Sequence, residues 1–96
     1  MSVGKPIDTV VIGGGVVGMS VAYGLARAGE RVRVLDEGDD AFRAARGNFG
    51  LVWVQGKGVG KPAYARWSME AARLWAGVRD ELTARTGIDL QLSQPG

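Results

Sequence analysis

The sequence predicts an α/β fold: a strand–helix–strand unit with its two strands parallel, an incomplete sheet, and a long amphipathic helix beyond it. Three observations carry this. A short β-branched run, Ile7 to Ile12, ends at three consecutive glycines. A stripe of apolar and small residues at helical spacing follows and stops at Gly29. A second run, Arg31 to Asp36, alternates apolar and basic residues and closes on an acid.

Ile7 to Ile12 is bounded by Pro6 and Gly13 and is apolar on both sides in its second half, which suits a strand buried in a parallel sheet. Val17, Gly18, Val21, Ala22, Leu25 and Ala28 then recur at spacings of one, three and four, the signature of one helix face. Gly29 fits the position just past the helix end, where a left-handed backbone is needed. Val32 and Val34 on one side, with Arg31 and Arg33 on the other, make the second strand. Glu37 to Gly47 is polar and basic and reads as a loop with at most one helical turn.

Leu51 to Val54 is expected as a short third strand, and the glycines and lysines of Gln55 to Lys61 as a flexible loop or hairpin tip. Pro62 suits the first turn of a helix. Tyr64, Trp67, Ala71, Leu74, Trp75, Val78 and Leu82 form a stripe up to about Thr86 that needs a partner surface. Gly87 ends this helix. Ile88, Leu90 and Leu92 alternate with Asp89 and Gln91 as a candidate edge strand. In a chain this short, Val10, Val34 and the Trp67 helix are expected to expose apolar surface.

Composition narrows the chemistry. The 96 residues allow one core, and 46% hydrophobic with 23% charged residues is an ordinary globular balance. The net charge of +2 comes with no block of like charges, so no nucleic-acid partner is expected. There is no cysteine and no histidine, which removes disulfides, thiolate zinc sites, the thiol nucleophile and the commonest general base. The early apolar run is too short for a signal-peptide core or a membrane span, so a cytoplasmic protein is expected.

Gly13, Gly15 and Gly18 spell GxGxxG between the first strand and the helix, and Asp36 ends the second strand. Each has a physical task in a Rossmann-like, dinucleotide-binding unit. Gly13 allows the tight turn, Gly15 lets a pyrophosphate approach the backbone, and Gly18 lets helix and strand pack closely. The N–H groups of Val16 and Val17, with the positive end of the helix dipole, face that pyrophosphate. Asp36 accepts hydrogen bonds from the adenosine ribose and repels a 2′-phosphate, which disfavours NADP.

The residues VVIGGGVVGMSVAYGLARAGERVRVLDEG, followed by ARGNFGLV, resemble the amino end of the D-amino-acid-oxidase-like FAD-dependent oxidoreductases, which include glycine and sarcosine oxidases and D-amino acid dehydrogenases. The resemblance implies FAD, with Asp36 and Glu37 at the ribose, Arg43, Ala44 and Ala45 near the pyrophosphate, and Asn48, Phe49, Gly50 and Leu51 beside the isoalloxazine ring; without histidine or cysteine in this segment, its flavin contacts are expected to be noncovalent. It also implies oxidation of an amino acid or amine at its C–N bond by hydride transfer to the flavin. Family members are several times longer. Residues 1–96 are thus expected as the amino-terminal part of an FAD-binding domain with the substrate domain absent, not catalytic alone, and no catalytic residue can be assigned. A second chain completing the fold is one arrangement that fits. An NAD-binding Rossmann protein, or a small noncatalytic module that binds a partner through Tyr64, Trp67 and Trp75, are the alternatives. Arg43 and Arg46 also read as solvated loop arginines, and Phe49 and Trp53 as core residues.

Overall fold

The computed structural model describes residues 5–38, 43–48 and 50–94. The chain divides into two compact units, Met1–Phe49 and Gly50–Gly96.

In the first unit, β1 (Thr9–Ile12) pairs in parallel with β2 (Val32–Leu35), and α1 (Val16–Arg27) makes the crossover. The register sets Thr9 opposite Val32 and Ile12 opposite Leu35. Backbone bonds extend the pairing past these bounds, from Asp8 N–H to the Arg31 carbonyl (2.9 Å) and from Gly13 N–H to the Leu35 carbonyl (2.7 Å). The Asp8 carboxylate also accepts the Arg31 N–H at 2.9 Å. The predicted βαβ unit is therefore present, with Ile7 and Asp36 just outside the regular strands.

Two glycines fix the ends of α1. At its start Gly13 holds φ +109°, and a Cβ built on Gly18 would lie 2.0 Å from the Gly13 carbonyl oxygen, so only a residue without a side chain lets the helix come this close to the turn. At its end Gly29 holds φ +93°. There the Glu30 N–H reaches the Leu25 carbonyl and the Gly29 N–H the Ala26 carbonyl, both at 3.0 Å; this paired closure satisfies carbonyls that the helix leaves over.

The expectation that β1 is buried on both faces is corrected. Thr9, Val11, Val32 and Val34 are half-buried, and Val11 lies under α1, 3.4 Å from where a Gly18 Cβ would stand. On the other face Val10 and Ile12 are 51% and 85% exposed and Leu35 49%. One helix covers one sheet face, and a parallel sheet needs both covered to be buried. Val34 was expected on the exposed side and sits on the covered one.

The second unit is built on α2 (Pro62–Thr86). Pro62 lies in its first turn and Gly87, at φ +74°, closes it as the sequence predicts. The preceding turns include Lys61 N–H to the Gly58 carbonyl at 2.8 Å. A Cβ on Gly58 would come within 2.5 Å of the Ala65 backbone nitrogen, so this turn folds directly onto the start of α2.

Two predicted strands do not form. Residues 51–54 form no strand, and 88–92 turn instead: Asp89 Oδ1 accepts the Gln91 N–H at 2.9 Å and Gln91 takes φ +56°. An Asx turn offers the backbone a local partner in place of a neighbouring strand. The tail then returns along the helix, with Gln94 donating to the Ala72 carbonyl at 3.2 Å. The predicted stripe of α2 is split accordingly. Trp75, Val78 and Leu82 are half-buried, Trp75 lining a cleft of about 300 Å³ with Val52, Leu90 and Leu92. Trp67 and Leu74 remain 72% and 50% exposed, with Trp67 touching the Tyr64 ring at 6.4 Å.

The Gly18 contact makes a prediction with an internal control. Gly18→Ala should lower unfolding free energy by at least about 2 kcal/mol, because the methyl overlaps a backbone carbonyl. Gly24→Ala, in the same helix with nothing within 4 Å of a Cβ, should raise it by about 0.5–1 kcal/mol. Urea denaturation of the two variants measures both signs.

Candidate functional site

The carboxyl ends of β1 and β2, the amino end of α1 and the 3₁₀ turn Ala44–Gly47 meet around a cleft of about 380 Å³. Gly14, Gly15, Asp36, Arg43 and Ala45 line it, with Val16, Met19 and Arg46. Gly15 caps α1 with extended backbone (φ −78°, ψ −173°), and its carbonyl accepts the Met19 N–H at 2.9 Å. The first amides of α1, those of Val16 and Val17 among them, have no carbonyl one turn back within the helix and make its end electropositive. No acidic side chain lies in that first turn.

A side chain at Gly15 would meet only Ala45 Cβ, at 3.9 Å. The backbone there is open to the cleft, and a group as large as a pyrophosphate can approach it. Gly13 and Gly18 serve differently, one making the turn and the other the packing beneath it.

Asp36 stands one residue beyond β2 and is the electrostatic centre of the cleft. Its Oδ1 accepts the Gly14 N–H at 2.8 Å and Arg43 Nη1 at 3.0 Å. Its Oδ2 accepts the Gly38 N–H at 3.1 Å and Arg43 Nη2. The Arg43 guanidinium first, and then the Gly14 and Gly38 N–H groups, hold this carboxyl well below the usual carboxylate range. Arg43 also donates to the Gly38 carbonyl. Its side chain is only 15% exposed, so it is not a solvated loop arginine.

The site residues expected from sequence thus fall into groups. Gly15, Val16, Asp36, Arg43 and Ala45 share the cleft. Val17 and Glu37 are exposed beside it, and Ala44 begins the 3₁₀ turn that Asn48 follows in extended backbone. Phe49 lies outside the described residues, and Gly50 and Leu51 belong to the second unit. Three cleft or ligating groups had no role in the sequence reading: Gly14, Gly38 and Met19. Gly14 was the silent middle of the glycine run, yet a Cβ there would press on the Asp36 side chain at 3.1 Å. That contact depends on strand register, which the motif does not state.

Among the described residues, no group of three or more His, Cys, Asp or Glu side chains could hold a metal ion, and no helix is long and apolar enough to cross a membrane.

Residues 8–96 match the family model for FAD dependent oxidoreductases, DAO. The chain belongs to this FAD-dependent oxidoreductase family. It is 51% identical over 90 residues to a subunit of the opine oxidase of Agrobacterium tumefaciens, covering 94% of this chain and 24% of that protein. It is 34% identical to glycine oxidase of Bacillus licheniformis, over 96% of this chain and 25% of that protein. With D-amino acid dehydrogenase of Helicobacter pylori it shares 44% identity over 45 residues, 47% of this chain and 11% of that protein. The chain therefore spans about a quarter of the length of the first two of these relatives. No solved structure matches it significantly. Membership settles the dinucleotide as FAD rather than NAD, and the cleft fits FAD's ADP half: an open glycine backbone, an electropositive helix end and an acid at the end of β2.

The Asp36 contacts give the site a pH signature. A carboxyl whose folded pKa is depressed contributes stability that is fully present above its unfolded value, near 3.9, and is lost as pH falls toward the folded value. The difference in melting midpoint between the native chain and Asp36→Asn should therefore stay constant from pH 7 to about 5 and shrink steadily below about 4. Thermal melts followed by far-UV circular dichroism at stepped pH measure it; a gap that persists unchanged at pH 2.5 would contradict the ion pair.

Proposed function

We propose that the chain is the amino-terminal, ADP-binding part of an FAD-dependent enzyme that oxidises an amino acid or amine at its C–N bond. The single observation that supports this best is the open Gly15 backbone at the amino end of α1, facing Ala45 across the cleft beside Asp36. Bound there, FAD would supply the acceptor for hydride removal from the carbon that bears nitrogen, leaving an imine for water to hydrolyse. The chain's own residues bind and orient. Gly15, Val16 and Val17 would hold the pyrophosphate by backbone N–H groups, and Asp36, with Glu37 beside it, would take the ribose hydroxyls. Arg43, Ala44 and Ala45 would border the pyrophosphate, and Asn48, Phe49, Gly50 and Leu51 would run toward the flavin ring.

Contacts between these 96 residues and the flavin are noncovalent on this reading, because they include neither histidine nor cysteine. The names of relatives, an opine oxidase and a glycine oxidase, support an amino-acid or amine substrate class. Substrate binding and catalysis would belong to residues outside these 96, on the same polypeptide or on a companion chain.

Gly15→Val separates folding from binding. The position tolerates a Cβ sterically and has an ordinary φ, so the variant should fold, with a loss of about 1 kcal/mol for valine in place of glycine at the helix N-cap. The isopropyl group fills the space where the pyrophosphate must lie, so affinity for ADP and FAD should fall more than about tenfold, a loss beyond 1.4 kcal/mol. Isothermal titration with ADP tests this. Unchanged affinity in the folded variant would overturn the pyrophosphate assignment.

A further inference from the structure

An ionised carboxylate offers about four lone-pair directions. On Asp36 four N–H donors meet them: Gly14 and Arg43 Nη1 on Oδ1, Gly38 and Arg43 Nη2 on Oδ2. The two backbone donors are fixed by the turn after β1 and the bend after β2. The two guanidinium donors sit at the end of a long side chain with several rotatable bonds, where Nη2 also donates to the Gly38 carbonyl. A ribose diol presents two O–H donors at a similar spacing to the two Nη groups, and the carboxylate has no further direction to offer it.

We propose that Arg43 is a stand-in for the adenosine ribose: it occupies the two Asp36 acceptor positions that the ribose diol takes, and the nucleotide binds by displacing it. The proposal rests on the nucleotide-binding reading above. Exchanging a bidentate ion pair, in which donor and acceptor are both charged, for ribose O–H bonds, in which only the acceptor is, is unfavourable by itself. It becomes favourable when the released guanidinium finds another anion. Arg43 lines the same cleft as Gly15 and the first residue of α1, so a diphosphate at the helix end is within the region its side chain borders. Adenosine, which has the ribose but no phosphate, must displace Arg43 with no such compensation. ADP supplies both the displacing diol and the new anion. Arg43 would in this way make the site discriminate against nucleosides in favour of nucleotides.

The test is titration calorimetry of the full chain with adenosine and with ADP, for the native protein, Arg43→Ala, Asp36→Asn and the double variant. Arg43→Ala should bind adenosine about three- to tenfold more tightly than the native chain. Its ADP affinity should rise less, or fall, so the ratio of ADP to adenosine affinity drops. Asp36→Asn should remove the gain in adenosine affinity when combined with Arg43→Ala. A native-like far-UV spectrum establishes that the variants fold. A second measurement needs no variant: guanidinium ¹⁵N resonances of Arg43 in the native chain, slowed by the bidentate pair, should sharpen into faster exchange as adenosine is added. Adenosine affinity unchanged or weaker in a folded Arg43→Ala, or Arg43 resonances indifferent to bound adenosine, would overturn the displacement while leaving nucleotide binding intact. Failure of the native chain to bind either adenosine or ADP would remove the nucleotide reading and the proposal together.

Discussion

Everything in the cleft depends on how closely α1 approaches the turn before it. Gly18 lies against the Gly13 carbonyl at a distance no side chain permits, and this sets the amino end of the helix over the carboxyl ends of two parallel strands, where α/β sheets bind their ligands. The strand register does the rest. Because Ile12 pairs with Leu35, the residues that follow them emerge side by side, and Asp36 comes within reach of the Gly14 N–H. Helix dipole, open glycine backbone and carboxylate are thus brought together by one packing contact and one register, both fixed by backbone geometry.

The features legible in the sequence are those that leave a residue-type mark on the backbone. Gly13 and Gly29 hold positive φ, Gly18 forbids a Cβ, and Pro62 and Gly87 bracket a helix; each such position admits few residues, so the residue reveals the conformation. The unread parts depend on partners distant in sequence. Leu51–Val54 and Ile88–Leu92 have strand-like patterns, but a strand exists only where another accepts its hydrogen bonds, and a side chain at Asp89 offers a nearer alternative. Arg43 was the hardest to place. Nothing in a basic loop says which anion a given arginine will choose, and the answer here lies seven residues back, on Asp36.

The two sides of α2 differ for a related reason. Helical periodicity counts apolar residues around the axis, and α2 has them on more than one side. Periodicity marks Tyr64, Trp67 and Leu74 together with Trp75, Val78 and Leu82, whereas the segments after Gly50 and Gly87 cover the Trp75 side alone. The ion pairs Glu70–Arg73, exposed at both ends, and Glu81–Arg85, with Glu81 half-buried, are short in sequence separation; they support the helix locally without selecting a docking face.

Among the described residues Ala22 is the one whose surroundings leave it buried, at 6% exposure. Most large apolar side chains keep much of their hydration shell in the native state, so unfolding wets little surface that was dry. The heat-capacity increment per residue then falls below the roughly 12–15 cal/mol/K usual for globular proteins, and enthalpy and entropy of unfolding vary slowly with temperature. The resulting stability curve is shallow: hydrogen bonds and the closed ends of its helices, rather than the temperature-dependent hydration of a core, set how this chain answers to heat and cold.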